Sequence, residues 1–282
     1  MRVLVLFTCY NRREKSEKAV RGLLEGNPGV AFSFIAVDAG SDDGTGASLR
    51  EIPGVEVIRG DASMYYSIGM RVAMERAKEL AAGGALKDSS GEDANGQSYD
   101  CCMLMNDDVE FFPDIVERMA ASGAGKRVIV GPTCGDKGEL TYGGIKYDRG
   151  IHYHIVGPDD ENPEADTFNA NCVLMPMSIF LEADIMDGHY VHTLGDFDYG
   201  LMLKRRGCDI RVFDSFIGRC NDNPKAGTWQ DRSLSRRERI RKKESIKGAP
   251  YGQWFYYLKK NFGIFAAVRS SLTPYIRILL GM

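Results

Sequence analysis

The sequence YDCCMLMNDDVEFFP, residues 99–113, predicts a short buried strand that ends in two acidic side chains. Apolar residues fill the strand as far as Met105, and Asn106, Asp107 and Asp108 follow at once. Ligands of open α/β sheets bind beyond the carboxyl ends of the strands, so both carboxylates are expected to face a cleft. Such a pair suits Mg²⁺ or Mn²⁺ bound together with the phosphates of a substrate. Taken alone, it would more often be an acidic turn or a helix cap.

The segments on the N-terminal side of this strand alternate between strands and helices. Val3–Phe7 and Phe32–Val37 are apolar runs of strand length, and between them apolar residues recur at helical spacing from Ala19 to Leu24. A strand over Val55–Ile58 and a helix over Ser67–Ala82 continue the pattern. Strands separated by helices predict an α/β fold with a mostly parallel sheet.

The pattern is interrupted just before the strand and becomes mixed after it. Residues Lys87–Ser98 lack any apolar period, and we expect a mobile surface insertion there. Pro113 is expected to open a helix, because proline suits the first helical turn. The other elements expected in this half are strands over Val128–Gly131, Thr141–Lys146 and Ile151–Val156 and helices over Met177–Asp184 and Asp196–Arg206, the last stopped by Gly207.

Composition and charge exclude several classes of protein. The 282 residues are 44% hydrophobic and 27% charged, which suits one sizeable globular domain with an appendage. A net charge of -3 and a pI near 5.9 give no basic field for binding nucleic acid. Seven cysteines without a Cys-x-x-Cys pair favour a reducing, cytoplasmic chain over a disulfide framework or a zinc site. No run reaches the roughly 18 apolar residues of a spanning helix, since Arg269, Pro274 and Arg277 interrupt the apolar tail.

Two further polar loops are expected at the same edge of the sheet. The second strand is followed by DAGSDDGT, residues 38–45, whose residue types form a tight turn and present a carboxylate and backbone amides. The first strand is followed by TCYNR, residues 8–12. The turn over residues 38–45 alone would be an ordinary polar turn about as often as a binding loop. Three polar loops at one edge, however, indicate a binding site.

Together these motifs resemble the inverting glycosyltransferases of family two, which have the GT-A fold. The resemblance rests on TCYNR, DAGSDDGT and the Asp-Asp pair after a hydrophobic strand, in the family's order and approximate spacing. It continues with Asn169-Ala170-Asn171 ahead of VLMP (173–176) and with GDFDYG (195–200), and it covers roughly residues 2–220. It implies a mostly parallel nucleotide-binding sheet flanked by helices, with a C-terminal helical appendage.

The resemblance also implies roles for individual residues. The donor nucleotide would lie against Thr8, Tyr10, Asn11, Arg12, Asp38, Ser41, Asp61 and Asp107. Asp38 would read the base, Asp107 would lie near the ribose, and Asp108 would hold Mn²⁺ or Mg²⁺. Asn171 and His192 would lie on the acceptor side, with Asp198 in a supporting role. The segment GDASMYY (60–66) resembles that of rhamnosyltransferase-like and galactofuranosyltransferase-like members, which implies hexosyl or deoxyhexosyl transfer in bacterial surface polysaccharide assembly.

Asp196 is the expected catalytic base. The resemblance implies this role, and the chemistry agrees, because an inverting transfer needs one carboxylate to accept the proton of the acceptor hydroxyl. A second acid is unnecessary when a metal stabilises the leaving diphosphate. The competing interpretation is a helix N-cap, since the predicted helix begins at Asp196. Asp198 lies two residues further on and cannot share its direction on a helix.

The chain departs from the family pattern at a position that concerns the metal. Many members have a histidine after the catalytic helix that completes the metal shell, whereas the corresponding stretch here reads GRCND (218–222). The protein's own share of metal coordination therefore stays open. His189 and His192 lie just ahead of Asp196, and for both a place in the acceptor pocket and a plain surface position are equally open.

Residues 226–282 are expected to form a helical extension of a glycosyltransferase domain spanning residues 1–225. The extension opens with a basic run from Arg232 to Lys247 and continues to an aromatic cluster from Trp254 to Tyr257. The basic run is either a solvated helix face or an attraction to anionic lipid headgroups, where each basic residue contributes about 1 kcal/mol. We expect this segment to contact the inner face of the cell membrane or to form a homodimer. The other expected partners are a nucleotide-sugar donor and a saccharide or lipid-linked saccharide acceptor.

Three other functions fit parts of the pattern. A sugar-phosphate nucleotidyltransferase also binds nucleotides with paired acids and a metal, but it should carry a glycine-rich phosphate loop where this chain has TCYNR. The lack of Gly-x-Gly-x-x-Gly after the first strand likewise argues against a Rossmann dehydrogenase. A non-catalytic carbohydrate-binding scaffold of the same fold would have no need to keep four acids together, namely Asp38, Asp107, Asp108 and Asp196.

Overall fold

The computed structural model describes residues 1–82, 99–123 and 127–282, so the insertion expected over Lys87–Ser98 lies outside the described residues. The strands are β1 Arg2–Cys9, β2 Ala31–Asp38, β3 Val55–Arg59, β4 Cys101–Met105, β5 Glu110–Phe111, β6 Arg127–Val130, β7 Thr133–Cys134, β8 Leu140–Tyr142, β9 Gly144–Arg149, β10 His152–Val156, β11 Thr167–Phe168, β12 Cys172–Pro176, β13 Asp209–Val212 and β14 Gly218–Arg219. The helices are α1 Arg13–Gly26, α2 Thr45–Arg50, α3 Tyr66–Ala81, α4 Ile115–Ser122, α5 Met177–Glu182, α6 Gly195–Arg205, α7 Arg236–Lys243, α8 Tyr251–Phe262, α9 Ile264–Ser270 and α10 Thr273–Leu279. A 3-10 turn, Ile246–Gly248, lies between α7 and α8.

Seven strands form the central sheet, in the order β13-β6-β12-β4-β1-β2-β3. β1 pairs in parallel with β2 and β4, β2 with β3, and β6 with β13, while β12 runs antiparallel to β4 and β6. The register sets Cys9 beside Asp38. β1, β2 and β4 therefore end at one edge of the sheet, and the predicted mostly parallel α/β fold is confirmed.

Both faces of the central sheet are covered, because successive side chains of a strand point to opposite faces. Leu4 and Leu6 of β1 pack in the cluster that includes Met70 of α3. Val3, the neighbouring residue, packs on the other face in the cluster that includes Val20 of α1. Strands buried on both faces are nearly continuous apolar runs, which is why the sequence indicates them clearly.

Two predicted boundaries in the second half are wrong. The strand expected over Thr141–Lys146 is split at Gly143, which lies between β8 and β9. Glycine is needed there, since a Cβ at this position would lie 2.5 Å from the carbonyl oxygen of Val156. Helix α4 begins two residues after Pro113, and its N-cap is Asp114 in the left-handed region, with φ of 58°.

The C-terminal helices pack onto the rest of the chain through an apolar cluster of their own. Tyr257 and Leu258 of α8 and Ala267 of α9 are buried in this cluster together with Tyr190. Phe197 of α6 packs against it. In the described part of the chain no helix, these included, is long and apolar enough to cross a membrane.

A buried acid of α6 accepts hydrogen bonds from α8. Asp198 accepts hydrogen bonds from Lys260 Nζ at 2.6 Å and from Asn261 Nδ2 at 2.8 Å, and it is only 2% exposed. Lys260 Nζ also donates to Asp187 at 2.7 Å, so two carboxylates share the ammonium group. Burial would raise the pKa of Asp187, but the hydrogen bond from Lys260 and others hold it below its usual range. Asp198 thus contributes to the contact between the two helices.

We expect Asp198→Ala to lower the free energy of unfolding by about 2 kcal/mol. Removing one partner of a buried ion pair costs about 3–5 kcal/mol, and the loss should be smaller here because Lys260 keeps Asp187. Thermal unfolding followed by circular dichroism measures the change. Asp184→Ala is the matched control, since Asp184 forms an exposed ion pair and such pairs contribute at most about 1 kcal/mol. An equal decrease in the free energy of unfolding in both variants would contradict the role of Asp198 in the contact between α6 and α8.

Candidate active site

The loops that follow β1 and β2 are bonded to each other. The backbone N–H of Asn11 donates to Ser41 Oγ at 2.9 Å, and Asn11 Oδ1 accepts the N–H of Asp42 at 2.9 Å. The N–H of Arg12 donates to Thr45 Oγ1 at 3.1 Å. Asn11 has φ of 48°, in the left-handed region that asparagine adopts more readily than most residues. The two loops, residues 8–12 and 38–45, thus form one rigid structure at the sheet edge, which we call the rim.

Asp38 is buried at the end of β2 and is held by its own loop. Its Oδ1 accepts the backbone N–H of Ser41 at 2.9 Å and the Ser41 hydroxyl at 2.5 Å. Helix α2 passes so close that a Cβ on Gly46 would lie 2.3 Å from Asp38 Oδ2. Thr8 is packed similarly against α3, where a Cβ on Gly69 would lie 2.6 Å from its Cγ2. The rim therefore has little freedom to rearrange.

Arg12 connects this rim to the acidic pair after β4. Its Nη1 lies 3.0 Å from Asp107 Oδ1 and 2.8 Å from Asp108 Oδ2. Asp107 is buried and also accepts a hydrogen bond from Ser16 Oγ at 2.8 Å. Burial raises the pKa of Asp107, although Arg12 and Ser16 act in the opposite direction. The side chain of Asp108 is 25% exposed, which makes it the more accessible acid of the pair.

Asp108 lies in the wall of a cavity of about 320 Å³. Its Oδ1 lies 3.7 Å from the sulfur of Cys220, and Asn171 Nδ2 lies 3.5 Å from the same sulfur. Burial and then the negative charge of Asp108 raise the pKa of Cys220 to about 12, so this residue is a neutral thiol. The basic side chains of the wall, those of Arg12, Lys15, Lys18 and Arg219, are balanced by four acidic ones. The cavity is therefore not a purely basic phosphate site.

The side chains around Asp108 suit a cation that takes most of its ligands from a bound substrate. Within residues 1–82, 99–123 and 127–282, no group of three or more His, Cys, Asp and Glu side chains is arranged to hold a metal ion. Asp108 offers one accessible carboxylate, which Arg12 pairs with in the free protein. Mg²⁺ is commonly held by one or two carboxylates together with substrate phosphates and water. The residues fit a metal that binds with a diphosphate and do not fit one held by the protein alone.

Asp196 lies in the first turn of α6, one residue inside the start of the helix at Gly195. Its Oδ1 accepts the N–H of Phe197 at 2.9 Å, and its Oδ2 accepts the N–H of Ala170 at 3.3 Å. The N-cap is Leu194, so the interpretation of Asp196 as the N-cap is wrong. Burial raises the pKa of Asp196 to about 6, although the backbone hydrogen bonds act in the opposite direction. Such a carboxylate is suited to accept a proton near neutral pH.

Buried polar atoms without a partner lie near Asp196. The hydroxyls of Tyr66 and Thr193 and Nδ1 of His192 have no hydrogen-bond partner among the described residues. Burial and then the charge of Asp196 raise the pKa of Tyr66. Burial, followed by nearby cations, lowers the pKa of His192 to about 4, so its ring is neutral. Buried polar groups in native proteins are nearly always satisfied, which points to a polar ligand or water here.

The antiparallel strand β12 links Asp196 to the acidic pair. Because β12 runs against β4, the start of β12 lies beside the end of β4. Just ahead of β12, the carbonyl of Asn171 accepts the N–H of Asn106 at 3.1 Å. The preceding residue, Ala170, donates to Asp196. A chain of direct contacts thus runs from Asp196 to the loop that carries Asp108.

Three other residues expected at the site, Asp61, Tyr10 and Asp198, do not contact the acidic pair or Asp196 through the hydrogen bonds described above. Asp61 is exposed and accepts the N–H of Ser63 at 2.8 Å and its hydroxyl at 2.5 Å. Its loop touches the Asp38 turn, since a Cβ on Gly40 would lie 3.3 Å from Asp61 Cα. Tyr10 is half exposed. Asp198 is turned toward α8, where Lys260 and Asn261 donate hydrogen bonds to it.

No family model matches the chain, and no curated protein matches it. Among solved structures, the chain resembles the crystal structure of residues 1–349 of TarS, a glycosyltransferase from S. aureus. The TM-score is 0.52 at 12% sequence identity, and the match covers 99% of this chain and 90% of that one. At this identity the likeness shows the fold alone. It confirms the expected GT-A-like fold, with helices at the C-terminus.

Proposed function

We propose that the protein is an inverting, metal-dependent glycosyltransferase. It moves a hexosyl or deoxyhexosyl group from a UDP-, dTDP- or GDP-sugar to an acceptor hydroxyl. The observation that carries the proposal is Asp196, a partly buried carboxylate whose pKa is raised to about 6 and which direct contacts link to the loop of the acidic pair. The fold shared with a glycosyltransferase supports it. The setting we propose is bacterial surface polysaccharide assembly on the cytoplasmic side of the membrane.

Asp196 acts as the general base of the transfer. The acceptor hydroxyl donates a hydrogen bond to its carboxylate, and the hydroxyl oxygen attacks the anomeric carbon on the side opposite the diphosphate. The new carbon–oxygen bond forms while the bond to the diphosphate breaks with its electron pair, and the proton goes to Asp196. Attack from the opposite side inverts the configuration of the sugar.

The rim and the acidic pair bind the donor in this proposal. The residues that would line the nucleotide are Thr8, Tyr10, Asn11, Asp38, Ser41, Asp61 and Asp107. Asp108 would hold Mn²⁺ or Mg²⁺ with the donor, and this cation would stabilise the charge on the leaving diphosphate. Arg12 pairs with both acids in the free protein. Once released from Asp108, its guanidinium can donate to a phosphate oxygen.

The unpartnered polar groups near Asp196 would bind the acceptor. Tyr66 and Thr193 can donate from their hydroxyls, and the neutral His192 ring can donate or accept. Sugars present several hydroxyl groups that both donate and accept hydrogen bonds. A saccharide or lipid-linked saccharide would therefore satisfy side chains that otherwise lack partners, beside the carboxylate that takes up the proton.

We expect kcat/KM to fall about tenfold for each pH unit below an apparent pKa of about 6. Asp196 must be ionised to accept a proton, so the rate rises with pH through this value and is level above it. The neutral His192, with a pKa of about 4, titrates below this window. Initial rates across the mildly acidic range, with donor and metal affinity measured at each pH, give the profile. A rate that stays level well below pH 6 would contradict the assignment.

The function is tested by incubating the protein with UDP-, dTDP- and GDP-sugars, with and without Mn²⁺. We expect metal-dependent release of a nucleoside diphosphate from one donor, which a saccharide acceptor accelerates. A sugar-phosphate nucleotidyltransferase would instead consume a nucleoside triphosphate and a sugar phosphate and release pyrophosphate. A scaffold would bind a donor or a saccharide without releasing any nucleotide. Either result would contradict the proposal.

A further inference from the structure

Charge is strongly separated between the C-terminal segment and the rest of the chain. Residues 232–282 contain twelve Lys and Arg side chains but only two acids, Glu238 and Glu244. The whole chain has 36 basic and 39 acidic residues, so the first 231 residues are strongly negative. Ten of the twelve basic residues are exposed, while Arg239 and Lys243 are buried. The segment therefore presents a basic surface.

Helices α9 and α10 leave an apolar face in solvent. Phe265 is 90% exposed, and the other residues of the face, Val268, Leu272, Ile276 and Leu279, are each more than half exposed. These five residues follow one another at spacings of three or four, which places them on one side of a helix. The two residues between the helices keep helical backbone angles, so the face continues from α9 into α10. We call these five residues the apolar face.

The opposite side of the same helices is buried against the protein. Ala267, Ser271 and Ile278 are almost completely buried. Helix α10 packs against the basic helix α7, and the buried Arg239 of α7 donates from Nη2 to the carbonyl oxygen of Met282 at 2.6 Å. The apolar face is thus the outer side of firmly packed helices and lies next to the basic surface.

The aromatic cluster of the extension is not part of this face. Tyr257 is buried, and Trp254 stacks on it with ring centroids 5.8 Å apart. The hydroxyl of Tyr256 donates to Asp187 at 2.8 Å. The sequence suggests that this cluster and the basic run together contact a membrane, but these rings pack against the protein. The exposed apolar residues come later in the chain.

We propose that the apolar face and the exposed basic side chains around it dock the protein on an anionic lipid bilayer. Apolar side chains at helical spacing enter the boundary between headgroups and acyl chains, and basic side chains attract anionic headgroups. Charge favours a bilayer over a second copy, since two copies meeting through this face would bring two basic segments together. The anionic bilayer repels the negatively charged first 231 residues, so these face away from it.

The docking surface also reaches the candidate acceptor pocket, a consequence that rests on the proposed function. The segment just ahead of His192 packs on α8: His189 stacks on Tyr256 with ring centroids 3.9 Å apart, and Tyr190 is buried in one cluster with Tyr257. His192 is one of the unpartnered groups assigned to acceptor binding. A bilayer bound through α7–α10 would therefore lie near this pocket, as a lipid-linked acceptor requires.

Co-sedimentation of the full chain with vesicles tests the docking surface. We expect binding to phosphatidylcholine vesicles that contain phosphatidylglycerol, weaker binding to phosphatidylcholine alone, and a decrease as salt screens the charges. The triple variant Phe265→Ser, Ile276→Ser, Leu279→Ser should bind at least about tenfold more weakly, because burial of apolar area is lost. Leu181→Ser, which alters an exposed apolar residue of α5, is the matched control and should bind like the wild type.

Two kinds of result would overturn the proposal. The first is a wild type that does not sediment with anionic vesicles, or a triple variant that sediments as well as the wild type. The second is a wild-type dimer, seen by light scattering, that the triple variant abolishes while vesicle binding is unchanged, which would make the face an interface between copies. Melting temperatures confirm that the variants fold. Because vesicle binding needs no sugar donor, the test is readable even if the proposed transferase activity fails.

Discussion

Replacing Asp196 by asparagine should slow glycosyl transfer by about 100- to 10,000-fold and leave donor and metal binding nearly unchanged. The amide keeps the shape of the side chain but cannot accept the proton of the acceptor hydroxyl. A loss of this size corresponds to about 3–5 kcal/mol of activation free energy. Single-turnover transfer measures the chemical step, and calorimetry with the nucleoside diphosphate and Mn²⁺ measures binding in the same preparation.

Stability has to be followed in the Asp196→Asn variant, because two effects oppose each other. Both carboxylate oxygens accept backbone N–H groups, from Phe197 and Ala170, and the new amide nitrogen would face one of these donors. The native state, however, raises the pKa of Asp196 to about 6. A carboxyl whose pKa is raised on folding lowers the stability of the folded protein as pH rises toward 6, because the native state disfavours the charged form. Removing this charge therefore stabilises the protein above that pH. We therefore expect a small change in Tm. A variant that folds, binds donor and transfers sugar at nearly the wild-type rate would rule out Asp196 as the base.

The parallel part of the sheet could be predicted because its strands are buried on both faces. The apolar runs Val3–Phe7 and Phe32–Val37 lie inside β1 and β2. β12 was not predicted as a strand, since a short apolar run between turns also fits a buried helix. Its insertion between β4 and β6 depends on long-range pairing that no local pattern contains. That insertion brings Ala170 and Asn171 to the candidate site.

As with the sheet, only part of the candidate site could be predicted from the sequence. The acids at the sheet edge followed from the rule that parallel strands end together, and Arg12 indeed contacts both Asp107 and Asp108. Their further partners could not be predicted, because the hydrogen bond from Ser16 to Asp107 joins residues far apart in the sequence. The sequence gives Asp198 only a supporting role beside Asp196. Its contact with α8 could not be predicted, because the sequence does not reveal how α8 packs against α6.

Replacing Asp108 by alanine should abolish the metal dependence of nucleoside diphosphate binding, with a loss of at least about 100-fold in affinity in the presence of Mn²⁺, or about 3 kcal/mol. A diphosphate and the remaining acid, Asp107, repel each other unless a cation lies between them. The variant also frees Arg12 from one partner while its contact with Asp107 remains, so some metal-independent binding through the guanidinium is expected.

The decisive quantity for Asp108 is therefore the ratio of the affinities with and without Mn²⁺, and not the affinity alone. Calorimetry with UDP, dTDP and GDP measures this ratio for the nucleotide that binds. Asp136→Asn is the matched control, because Asp136 lies in the wall of the same cavity but hydrogen-bonds to Asn221. Removing its charge changes the electrostatic potential of the cavity without touching the acidic pair, so the ratio should stay close to that of the wild type. Wild-type metal dependence in Asp108→Ala, or an equal loss in Asp136→Asn, would show that the cation is held by something other than the Asp108 carboxylate.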